Sequence, residues 1–215
     1  MRRLLVKTIK RKKYLEESIE YKIDMMNKTA LLFNETVKKC KFGLSTRQSV
    51  FLAYFDMSLE YVNSIYVLVQ KNHYGVAAAN VRLHLETLIR AIWVLRYASD
   101  DVVEKVNNDK FNFPSIAKLV KEIDEVWGTD NSFQRIKSNH WKEMCDYTHS
   151  GNLQLAKRYK NGKLEPNYSE ELILGILEGT NFILQEFTLH LLDHHECEKE
   201  FEIMFNHFSS NLDFN

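Results

Sequence analysis

Proline and glycine are scarce, at 2 and 7 of 215 residues. Few positions therefore offer the fixed φ or the left-handed backbone that tight hairpins need, and long segments run without a breaker, which favours helices. Cysteine is scarce too. Cys40, Cys145 and Cys197 are odd in number, far apart and without a CxxC pair, so the pattern argues for free thiols in a reducing compartment and against a disulfide framework. No apolar run approaches the roughly 18 residues of a membrane span, and Leu4-Leu5-Val6 is cut by Lys7 before it can form a signal-peptide core. The expected location is the cytoplasm, with no membrane partner. HExxH, a glycine-rich phosphate loop and a GxSxG elbow are all missing, and no cofactor is expected.

Net charge is also absent, because 29 basic and 29 acidic side chains cancel. With 45% hydrophobic and 27% charged residues, the composition is that of a folded chain and not a disordered one. The cancellation hides an asymmetry. Arg2, Arg3, Lys7, Lys10, Arg11, Lys12 and Lys13 open the chain without one acid, whereas Asp193, Glu196, Glu198, Glu200, Glu202 and Asp213 face only Lys199 at its end. A basic start suits a nucleic acid or membrane surface; a solvated helix face, or contact between the two ends, is the plainer explanation.

Apolar residues recur at helical spacing almost throughout. Leu15, Ile19, Ile23, Met26, Ala30, Phe33 and Val37 mark a first helix over about 14–41, with Gly43 as its stop. Ser45 caps a second helix that ends near 72–75. A third, over about 76–98, is apolar nearly all round and is expected to be buried. Ser99-Asp100-Asp101 starts a short helix, and Pro114 suits the first turn of the next, which Gly128 ends. Another helix spans about 132–150 and stops at Gly151. Residues 154–168, holding Asn161-Gly162 and Pro166, read as a surface loop, and Ser169-Glu170-Glu171 opens the last long helix, followed by a frayed acidic tail. The expected fold is all-α: one domain over 1–215, an antiparallel bundle of about five main helices with short connections.

Three constellations carry potential chemistry. Arg82, Glu86 and Arg90 stand at i, i+4 and i+8 on the third helix, a stripe that Trp93 and Tyr97 continue. Their charges point inward, and buried ions need pairing, so the triplet is either a salt-bridge network that fixes packing or a cradle for a phosphate. The excess positive charge calls for a further anion, either Asp146 or a ligand. On the helix over 132–150, Arg135, Asn139, Lys142, Asp146 and His149 share a polar face, and His140 falls in the apolar stripe, where a core histidine is expected. His149, at the helix C-terminus beside Asp146, is the accessible one and suits general acid or base work. Arg135, Lys142, Lys157 and Arg158 belong to a basic stretch that would attract a phosphate backbone. Finally, His190, His194 and Cys197 have the ligand types and spacing of a transition-metal site, but His190 also continues the apolar stripe and reads more simply as a partly buried helix end.

The blocks VRLHLETLIRAIWVLRYASDD (81–101), FPSIAKLVKEID and NHWKEMCDYTHSGNLQLAKR (139–158) resemble a group of bacterial helical proteins related to HEPN-like proteins. The resemblance covers about the middle third of the chain. It implies a HEPN-like bundle with additional N- and C-terminal helices, a homodimer, RNA as substrate, and a place in toxin–antitoxin or phage defence with an antitoxin or other protein partner. Such proteins are often metal-independent ribonucleases, marked by an arginine followed four to six residues later by a histidine. Arg135 and His140 have that spacing, yet Ile136 stands where a polar residue is usual. The residues themselves favour His149, with Arg82, Glu86, Arg90 and Asp146 about it. The alternative is a non-catalytic interaction module whose Arg/Glu network is structural.

Overall fold

A computed structural model describes residues 2–40, 45–127, 132–195 and 197–212. It is an all-α helical bundle: α1 (Arg2–Val37), α2 (Thr46–Gln70), α3 (Tyr74–Arg96), α4 (Asp100–Asn107), α5 (Ile116–Trp127), α6 (Ser132–Thr148), α7 (Asn152–Ala156), α8 (Glu170–His194) and α9 (Glu198–Leu212). The only sheet among the described residues is a two-stranded ribbon, β1 (Tyr159–Lys160) and β2 (Lys163–Leu164).

α3 is the centre. It packs against α2, α5, α6 and α8, and Leu88, Ile89, Ala91, Ile92 and Val94 are all but inaccessible to solvent. A tight turn at Asn72, whose φ is 61°, folds α3 back on α2. α1 lies along α8 and α9, tied by an ion pair between Lys22 and Glu178 and by a hydrogen bond between Thr29 and His207. Local signals set several helix starts. Ser45 and Gln48 form a reciprocal capping box at α2, and the Ser169 hydroxyl accepts from the Leu172 amide at α8.

Several sequence expectations need correction. α1 begins at Arg2 and not near Tyr14, because the basic stretch contains no breaker and charge alone does not stop a helix. Pro114 precedes α5, whose first turn is held by Ser115: its hydroxyl and carbonyl both accept from the Lys118 amide. The expected surface loop takes in the end of α7 and a hairpin of two-residue strands, with Asn161 and Gly162 at φ 51° and 75° supplying the left-handed turn. The acidic end is not frayed: α9 buries Met204 and Phe208 against the main core, with Phe201 packed beside them. The anticipated stops at Gly43 and Gly128 lie outside the described residues. Among the described residues one helix, α8, is long and apolar enough to cross a membrane by length and composition. Its packing against α1, α2, α3 and α9 is that of a core helix.

Candidate functional site

α6 crosses over α3, and the two flanks of that crossing differ. On one flank the polar stripe of α3 meets α6. Arg82 Nη2 pairs with Glu86 Oε1 at 2.7 Å, and Arg90 Nη2 approaches Glu86 Oε2 at 3.5 Å, so one carboxylate bridges two guanidinium groups. Arg82 and Glu86 keep 14% of their side-chain surface, whereas Arg90 keeps 39%. Each arginine lies over an aromatic ring, Arg82 above Trp141 at 5.0 Å and Arg90 above Phe113 at 5.3 Å, which adds cation–π attraction while excluding water. Further along the stripe Trp93 donates to Glu122 at 2.7 Å and stacks on Phe111.

Arg82 also donates from Nη1 to His149 Nε2 at 2.8 Å. A guanidinium cannot accept a hydrogen bond, so Nε2 must be the unprotonated nitrogen and the neutral imidazole carries its proton on Nδ1. His149 is exposed, one residue beyond the end of α6. Arg135 and Lys142 lie on the same outer face of α6, both exposed.

Asp146 plays a different part from the one its spacing suggests. Its carboxylate accepts from the Leu153 amide and so caps α7. A β-carbon on Gly151 would overlap that carboxylate, which is why glycine stands there. The left-handed residue that ends α6 is Ser150, at φ 54°, not Gly151. Asp146 is therefore occupied by the chain itself, and the carboxylate that pairs with Arg82 is Glu86 of its own stripe.

On the other flank α3, α6, α7 and α8 enclose a groove of about 830 Å³. Val81 and Leu85 form its floor, Met144 and Tyr147 one wall, and Ile176 and Phe182 the other. His140 stands at its mouth and is exposed, contrary to the core position inferred from the apolar stripe; that stripe faces a groove and not a filled core. Lys157 also lines the groove, and Arg158 lies over the Tyr168 ring at 6.0 Å. The four basic candidates are thus divided: Arg135 and Lys142 accompany His149, whereas Lys157 turns toward the groove.

Two buried histidines lie outside both flanks. Ser58 Oγ and His84 Nε2 are 2.6 Å apart in the core, and burial lowers the His84 pKa to about 3. His190 is likewise driven down to about 3, by burial and then by Arg96. Spacing alone did not single out His84, although its position between Leu83 and Leu85 on a helix apolar nearly all round was the available signal. His190 points into the core, away from any joint site with His194 and Cys197, and no cluster of three His, Cys, Asp or Glu side chains suited to a metal occurs among the described residues.

Residues 55–212, nearly three quarters of the chain, match the family of unknown function DUF6988. The chain belongs to the DUF6988 family. The DUF6988 span contains α3, α6 and α8 whole, and hence both flanks, while α1 and the start of α2 precede it. Comparison with curated proteins and with solved structures finds no match.

Proposed function

We propose that this chain cleaves RNA without a metal, at the site where Arg82 meets His149. The observation that carries the reading is the 2.8 Å contact between Arg82 and an exposed histidine, at the end of the helix whose outer face exposes the cations Arg135 and Lys142. Arginine binds phosphate bidentately, so an incoming phosphodiester competes with His149 for the guanidinium and releases the Nε2 lone pair. Nε2 then takes the proton of the ribose 2′-hydroxyl as that oxygen attacks phosphorus. The bond to the 5′-oxygen breaks, the imidazolium returns its proton to the leaving group, and a 2′,3′-cyclic phosphate remains. Arg82, held in place by Glu86, stabilises the charge that develops on the phosphoryl oxygens. The HEPN-like resemblance supports this reading and extends it to a homodimer that pairs with an antitoxin. The test is cleavage of single-stranded RNA in EDTA. His149→Ala should abolish cleavage while leaving binding nearly intact, and cleavage that survives the substitution refutes the assignment.

A second reading has its own support. Glu86 bridges both arginines, Asp146 caps α7, and the His149 lone pair is already engaged. Such a closed network fits a non-catalytic interaction module. Wild-type protein that neither binds nor cuts RNA at low salt would establish this second reading over the first.

A further inference from the structure

We infer that the groove between α6 and α8 is a second, separate binding site, for a small apolar molecule that carries a hydrogen-bond-accepting oxygen. Its volume of about 830 Å³ lies within the range of small-molecule sites. Val81, Leu85, Met144, Ile176, Phe182 and Ile183 give it apolar walls, and Phe182 still exposes 40% of its surface. Ligand contact would remove that surface from water.

Tyr147 supplies the polar feature. It lines the groove and is 3% exposed, yet its hydroxyl has no hydrogen-bond partner among the described residues. Burial pushes its pKa to about 12, so it remains a neutral phenol with a proton to donate. A buried donor left unsatisfied is costly, and an acceptor oxygen on a ligand would relieve that cost.

Gly175 makes the site testable. It lines the groove, and a β-carbon placed there meets nothing within 4 Å. Gly175→Leu therefore starts its side chain in open space at the groove, and a better helix former should if anything raise the melting temperature. The neutral fluorophore N-phenyl-1-naphthylamine serves as probe for the full-length protein. Wild type should bind it with enhanced emission, and Gly175→Leu, with an unchanged circular dichroism spectrum, should weaken it at least about tenfold. Methyl decanoate, an apolar tail with an ester oxygen, should displace the probe. Tyr147→Phe should weaken methyl decanoate several-fold and leave the probe unaffected. Undiminished probe binding by Gly175→Leu would overturn the site, failure of methyl decanoate to displace the probe would overturn the ligand class, and an unaltered ester affinity in Tyr147→Phe would overturn the role of the phenol. None of these outcomes depends on RNA cleavage.

Discussion

Acidification should unfold this protein through its core histidines. His84 and His190 each have a folded pKa near 3 because burial penalises the cation, against about 6.5 in the unfolded chain. The unfolded state therefore binds the extra protons, and stability is complete above the unfolded value and falls as pH drops from about 6.5 toward 3. Each histidine should contribute a slope of about 1.4 kcal/mol per pH unit. Between about pH 7.5 and pH 5 that is about 2 kcal/mol apiece, or about 4 kcal/mol together, a large share of the roughly 5–15 kcal/mol that holds a domain folded. The perturbation is His84→Gln, whose amide reaches toward Ser58 but does not titrate. Urea denaturation at several pH values supplies the assay, since carboxylate contributions are common to both proteins and cancel in the comparison. The variant should lose less stability than wild type over that interval, by about 2 kcal/mol, whatever its stability at neutral pH. Parallel curves for the two proteins would show that His84 is not held neutral by burial.

Gly151→Ala should lower stability by roughly 1–3 kcal/mol through overlap with the Asp146 carboxylate. In an Asp146→Ala background the same substitution should cost much less, and additive urea midpoints would refute the overlap. Arg82→Ala removes one of the two cations on Glu86 and should cost roughly 1–3 kcal/mol, below the 3–5 of a fully orphaned buried charge because Arg90 remains. Combining it with Glu86→Gln should restore part of the loss; a double variant less stable than the sum of the singles would contradict the bridging role. Single-stranded RNA binding by wild type should weaken steeply with salt, and Arg135→Ala with Lys142→Ala should reduce the salt slope by about 1.4 if both touch phosphate. An unchanged slope would remove α6 from the interface.

The helices were legible because periodicity is a property of neighbours in sequence, and α2, α3 and α8 bury most of the residues that their patterns mark, with Val81 and Leu172 left half-buried at the groove. Charge misled at both ends. The acidic residues of α9 hid Phe201, Met204 and Phe208, whose spacing of three and four is an ordinary helical stripe. What pattern cannot supply is the partner on the far side. Arg82, Glu86 and Arg90 were recognisable as a stripe needing an answer, but that Trp141, Phe113 and His149 provide it depends on how α6 and the α4–α5 connection pass over α3. The same limit explains His140: a helical stripe reports which residues avoid water on average, and not whether the opposing wall is complete.

Asp146 and His149 show why site chemistry is harder to read than fold. Both lie near the end of α6, three residues apart, a spacing that invites a carboxylate–imidazole pair. A helix end, however, also leaves backbone groups in need of partners, and the sharp turn into α7 presents the Leu153 amide to Asp146. The capping demand is met inside the fold whether or not a ligand is present, so it claims the carboxylate first. His149 instead meets the Arg82 guanidinium. The pair at the crossing of α3 and α6 is thus what remains of the polar face after the turn has taken its share, and its reactivity depends on whether an anion can replace His149 on that guanidinium.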